Sequence, residues 1–161
     1  MKRLSLIPIC VVAALALTPS PAAADATAFY GVATTTINRP ATGLAIAVKV
    51  ILVGIEFEYA HMDERYPEHV PGVNSSMFNL VLESPTKFKV YFTAGGGLSH
   101  ETLGAASEWG FGTNIGGGVK LPLAGPLRIR IDYRLFNVHG TIPGSVDKRQ
   151  QRIYGGINFA F

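Results

Sequence analysis

The densest chemistry in the chain sits in two short stretches. Glu56 and Glu58 stand two apart in VGIEFEYA, and Arg128, Arg130, Asp132 and Arg134 stand two apart in LRIRIDYR. A spacing of two puts side chains on one face of an extended strand. Carboxylates that meet guanidinium groups can line a narrow pore and gate ions, or they can neutralise one another inside a closed interior. Which applies depends on the space the strands leave between them.

Other candidate groups are sparser. The four histidines, His61, His69, His100 and His139, lie in or beside polar connections, and no pair has the spacing of a metal-ligand motif, so rim histidines are the expectation. Ser99, His100 and Glu101 hold the residue types of a hydrolytic triad. Consecutive strand residues point to opposite faces, however, so adjacency argues against their contact unless the chain turns. Two glycine runs, Gly95 to Gly97 and Gly116 to Gly118, lack the Lys-Ser/Thr of a phosphate loop, the GxGxxG spacing and a following helix. They are expected to permit tight curvature, with an aromatic such as Tyr91 or Tyr154 lying across. No cofactor or metal is expected.

The elements that position these groups read as strands. Met1 to Ala24 has a basic start, an apolar run from Leu4 to Leu17 and a small-residue end before Asp25, the pattern of a cleaved signal peptide. Cys10 falls inside that run, so residues 25–161 contain no thiol. Without Lys2 and Arg3 the bases fall from 14 to 12 against 11 acids, a balance of +1 that argues against a nucleic-acid partner. The 137 residues that remain suit one domain. Alternation over 9–13 residues recurs in them, and it predicts eight strands at about 27–37, 42–49, 53–62, 74–84, 87–99, 108–121, 127–138 and 150–161. Three connections are short, at 50–52, 85–86 and 122–126. Three are longer and polar, at 61–73, 100–107 and 139–149. The first connection on that second side, 38–41, is brief. Short turns at one end and longer loops at the other fit a transmembrane β-barrel, with both termini at the short-turn, periplasmic end. Lys49, Lys87, Lys89 and Lys120 fall near that end, where they would meet anionic headgroups or water.

The faces decide between a membrane barrel and a soluble one. Val53, Ile55, Phe57 and Tyr59 oppose Gly54, Glu56, Glu58 and Ala60, and Leu127 to Leu135 repeats this against the arginines. A soluble, lipocalin-like barrel would turn the apolar face inward. Charges of both signs on the polar faces, and aromatics such as Trp109, Tyr59, Tyr133 and Phe161 near strand ends, favour apolar-out. In an eight-stranded lumen filled by side chains, the carboxylates and arginines are then expected to be an ion-pair network rather than a gate.

The last eleven residues, QRIYGGINFAF, alternate to the final atom. They resemble the C-terminal signal of bacterial outer-membrane barrels, carried here by Gly156, Phe159 and Phe161, with Tyr154 at the position that usually opens it. With the signal peptide and eight alternating strands, the chain resembles the small outer-membrane β-barrel superfamily, the OmpA/OmpX-like and opacity-like surface proteins. The resemblance covers residues 25–161. It implies a monomer in outer-membrane lipid, assembled by the barrel-assembly machinery. It says little about role, because the superfamily includes adhesins, anchors and lipid-modifying enzymes. No peptidoglycan-binding domain follows the last strand, which puts the anchor role in doubt. The expected function is a structural or binding scaffold that presents extracellular loops, HMDERYPEHVPGV (61–73) foremost, and not an enzyme. The alternatives are a narrow or gated pore, a soluble periplasmic lipocalin-like carrier and a lipid A-modifying enzyme.

Overall fold

The computed structural model describes residues 23–34, 38–139 and 149–161. Eight antiparallel strands follow one another: β1 (Ala23–Thr34), β2 (Arg39–Val50), β3 (Val53–Met62), β4 (Gly72–Glu83), β5 (Lys89–Leu103), β6 (Ala106–Ala124), β7 (Leu127–His139) and β8 (Arg149–Ala160). Each pairs with its neighbours, and β8 pairs with β1, so the sheet closes. Closure leaves no open edge and satisfies the backbone polar groups without water.

The register fixes the shape. From Ala160 the pairing steps to Asp25, Ala47, Glu56, Asn79, Gly95, Asn114 and Phe136, and returns to β8 at Gln150. That ten-residue stagger over eight strands corresponds to a strand tilt of about 40°. The lumen of such a barrel is narrow and filled by its own side chains.

Inside and outside are cleanly sorted. The outer wall carries Ile55, Phe78, Phe92, Ile115, Ile131, Ile157 and many more exposed apolar residues. Buried inside are Glu56, Glu58, Lys120, Arg130, Asp132 and Arg134. A soluble carrier needs the reverse arrangement, so the lipocalin-like alternative is overturned. On β8 the outward series Ile153, Gly155, Ile157, Phe159 and Phe161 spans about 20 Å along the barrel axis, close to the apolar band of a membrane barrel. Trp109, Tyr59, Tyr133 and Phe161 all lie on the outer surface.

Several boundaries differ from those read in the sequence, and β2 begins at Arg39, inside the connection expected at 38–41. Residues 100–107 are not a long loop: β5 and β6 continue to Leu103 and Ala106, and the link is the two-residue turn Gly104-Ala105, with Gly104 at φ 59°. Polar outward residues such as Ser107 had the composition of a loop but stand on strands. The β6 strand extends through Pro122 to Ala124 because a register shift there accommodates the proline. The β1 strand begins at Ala23, two residues before the cleavage point expected from the sequence. The connection expected at 139–149 lies mostly outside the described residues.

The β2–β3 hairpin turns through Ile51 and Leu52, and Ile51 sits at φ 58°. A left-handed conformation crowds Cβ against the carbonyl and costs roughly 1–2 kcal/mol. Asparagine tolerates that conformation, so Ile51→Asn is expected to raise the unfolding free energy in detergent by about 1 kcal/mol. The urea midpoint of the refolded barrel measures this. A lower midpoint would mean that the apolar contact of Ile51 outweighs the strain.

Candidate functional site: the lumenal charge column and the outer rim

The β3 and β7 strands stand opposite each other in the ring of eight, so contacts between them cross the lumen. Glu56 and Glu58 point inward from β3; Arg130, Asp132 and Arg134 point inward from β7. Arg130 Nη1 lies 2.6 Å from Glu56 Oε2, and Arg130 Nη2 lies 2.7 Å from Asp132 Oδ2. Arg134 reaches Glu56 Oε1 at 2.7 Å, Glu58 Oε2 at 2.9 Å and Asp132 Oδ1 at 3.0 Å. Tyr154 donates to Glu58 at 2.8 Å, and Arg130 Nε donates to the Tyr91 hydroxyl at 2.7 Å. Tyr91 in turn donates to Asp132. Asn79 and Asn114 continue the chain from Glu56 toward β6.

Arg128 does not join this network. It is half-buried one pair nearer the β7 start, and none of the ion pairs among the described residues includes it. Its spacing placed it on the inner face but one step short of the carboxylates on β3.

A second cluster lies nearer the termini, and sequence reasoning missed it. Lys120 Nζ sits 2.8 Å from Asp25 Oδ2 and 2.9 Å from Glu83 Oε2. Lys49 reaches Glu83 at 2.8 Å and also pairs with Asp25. Lys89 lies 2.6 Å from Glu83, and Asn158 donates to Asp25 at 2.9 Å. Lys49 and Lys120 are therefore buried in the lumen; of the four lysines expected at headgroups or in water, Lys87 is the fully exposed one. The available signal was parity: Lys49 shares a face with Ala45 and Ala47, opposite Val48 and Val50.

The inward glycines make room for these groups. A Cβ on Gly118 would lie 2.6 Å from the Tyr91 hydroxyl, and one on Gly116 would lie 2.7 Å from Arg134 Cγ. Tyr91 does lie across a glycine of the second run. Beyond the central cluster, Arg152 donates to Ser75 at 3.2 Å and stacks over Phe136 at 3.7 Å. Further toward that end an apolar cluster of Ala33, Ala41, Met62 and Val73 fills the lumen. Arg39 bonds the carbonyl oxygens of Asp63 and Pro71, which ties the 63–71 connection to the wall.

The outer face holds a different set. Ser99 and Glu101 point into the barrel and His100 points out, so the three do not meet. His100 Nε2 instead lies 2.7 Å from Ser107 Oγ across the β5–β6 hairpin, and its ring packs 4.5 Å from that of Trp109. His61 bonds Asn74 at 2.7 Å and Asp63 at 3.1 Å. No group of His, Cys, Asp and Glu among the described residues could hold a metal ion.

At the C-terminus, Phe159 and Phe161 face outward with ring centroids 6.2 Å apart. A Cβ on Gly156 would lie 2.5 Å from the Ala28 carbonyl oxygen, so β8 approaches β1 closely there. The backbone of Phe161 exchanges hydrogen bonds of 2.9 and 3.0 Å with Ala24.

No family model and no curated protein matches the chain. Solved structures do. The N-terminal β-barrel domain of Pseudomonas aeruginosa OprF aligns with a TM-score of 0.65 at 15% identity, over 86% of this chain and 97% of that one. Yersinia pestis Ail, the attachment invasion locus protein, solved with the heparin analogue sucrose octasulfate, aligns at 0.54 and 11% identity, over 88% and 99%. The outer membrane enzyme PagL aligns at 0.53 and 14% identity, over 84% and 98%. With its apolar wall and charged interior, the chain has the closed eight-stranded β-barrel fold that these outer-membrane proteins share. That fold carries enzymes and non-enzymes alike.

Removing one partner from a buried ion cluster leaves charge uncompensated, at a cost of about 3–5 kcal/mol. Glu56→Ala removes the carboxylate shared by Arg130 and Arg134, leaves Asp132 as the remaining ion-pair partner of Arg130, and is expected to destabilise the refolded barrel by about that much. Arg128→Ala is expected to change stability by less than about 0.5 kcal/mol. Urea unfolding in detergent measures both, and equal effects would sink the distinction between the two arginines.

Proposed function

We propose that the protein is a monomeric, integral outer-membrane scaffold whose lumen is closed and whose working surface is the set of connections at the end away from the termini. The observation that carries this reading is the pair of cross-lumen ion clusters, one from β3 to β7 and one in which Lys49 on β2 and Lys120 on β6 share Asp25 on β1 and Glu83 on β4, inside a wall of exposed apolar residues. A lumen bridged twice by paired charges has no room for a hydrated path. Residues 1–24 act as the export signal, the short turns face the periplasm, and Gly156, Phe159 and Phe161 are read by the barrel-assembly machinery. The 63–71 connection, held by Arg39, is the part presented for binding. The name of Ail, a barrel of similar fold, speaks of attachment, which supports a surface-binding role.

Fractionation of an expressing Gram-negative cell is expected to recover the protein in the outer membrane, with a faster gel band before boiling than after. In planar bilayers the refolded protein is expected to give no steady conductance. Sustained channels abolished by charge reversal at Arg130 would establish the pore reading instead.

A second reading, a membrane-lipid acyl hydrolase, is favoured by one contact. Ser107 Oγ and His100 Nε2 are within hydrogen-bond distance on the outer face, as a nucleophile and its base must be. Against it, no carboxylate among the described residues orients the other ring nitrogen. Expression of the wild type is expected to leave the lipid A mass spectrum unchanged. A lost acyl chain, restored by Ser107→Ala, would overturn the scaffold reading.

A further inference from the structure

The strand residues that face outward carry almost no charge. Among the described strand residues on that face, Arg149 at the start of β8 is the one cation, and no carboxylate shares the face. Arg149 is not an isolated surface group. It lines a cavity of about 610 Å³ on the outer wall, where β6, β7 and β8 run side by side at the end away from the termini.

The register builds this cavity in two rows. Thr113 pairs with Asn137, and Asn137 with Arg149, to make a polar row. One step nearer the termini, Ile115 pairs with Leu135, and Leu135 with Gln151. Tyr133 donates its hydroxyl to Gln151 Oε1 at 3.1 Å, which leaves the amide N–H groups of Gln151 for a ligand. The rim thus offers a guanidinium, two side-chain amides and a hydroxyl, all able to donate. Directly below it stand Ile115 and Leu135, both exposed on the apolar band.

A donor-rich cationic rim above hydrocarbon matches an amphiphile with an anionic head. A guanidinium binds phosphate through two parallel hydrogen bonds, and Asn and Gln amides add neutral donors. One exposed arginine holds a free anion weakly in water, so the apolar rows beneath are what would retain a ligand here. We propose that this wall of β6, β7 and β8 is a binding site for a single phosphorylated lipid of the outer leaflet. Its phosphate lies on Arg149, Gln151 and Asn137, and its acyl chains lie along Ile115 and Leu135. This rests on the transmembrane orientation proposed above.

The test uses the full-length protein, exported and recovered from the membrane, then purified in detergent. Native mass spectrometry counts retained lipid after mixing with bisphosphorylated lipid A, with the same lipid after phosphatase treatment, and with inorganic phosphate. The wild type is expected to keep one lipid A molecule. Arg149→Gln, Asn137→Leu and removal of the phosphates are each expected to weaken retention about tenfold, and inorganic phosphate is expected neither to bind nor to compete at millimolar concentration. Equal retention by Arg149→Gln, or of the dephosphorylated lipid, would overturn the site, as would displacement by inorganic phosphate. The unboiled gel band of each variant reports folding separately. If the wild type lacks that compact band, the barrel reading has failed; if every variant keeps it while retention is unchanged, the lipid site has failed.

Discussion

Charge that enters the interior of a narrow barrel must find its partner across the lumen. In hydrocarbon the wall can satisfy its own backbone, because each strand bonds its neighbours and the sheet has no edge. It cannot satisfy a side chain that points inward. Arg130 and Arg134 lie fully buried, and the carboxylates that compensate them come from the far wall and from Asp132 between them. Gly116 and Gly118 on β6 clear the space that Arg134 and Tyr91 occupy. The ten-residue stagger brings the inward positions of β3 and β7 to the same height. Register, glycine placement and charge placement answer one requirement.

Much of this was legible as period-two alternation. The β3 and β7 strands each have one apolar and one polar face, and the sign of the wall follows once the polar faces are seen to carry acids and bases together. Strand count, order and orientation came with it. Less legible was anything that depends on height along the axis. Alternation gives the face of Arg128 and of Lys120 but not their level, so the first was grouped with a cluster it does not reach and the second was sent to the surface. Asp25, read in the sequence only as the residue after the expected cleavage point, pairs with two lysines in the structure. The His100–Ser107 contact links residues seven apart through a hairpin whose polar outer face had the composition of a loop.

The division of labour that results is simple. The interior is occupied by paired charge and, toward the loop end, by a small apolar cluster. The rim is built separately, from the 63–71 connection tied down by Arg39, the long β5–β6 hairpin with Trp109, and the amphiphilic groove at Arg149. Among the described strand residues on the outer wall, Arg149 is the one Lys or Arg, and it stands above an apolar band.

The account depends most on the claim that Glu56 and Arg130 hold opposite walls of the barrel together. A double-mutant cycle between them, with Glu56→Gln and Arg130→Met singly and together, read by urea unfolding in detergent, measures that coupling directly. Coupling of about 2 kcal/mol or more is the expected result for a desolvated charge pair. Effects that add within about 0.5 kcal/mol would show independent sites, and would contradict a lumen closed by cross-wall ion pairs.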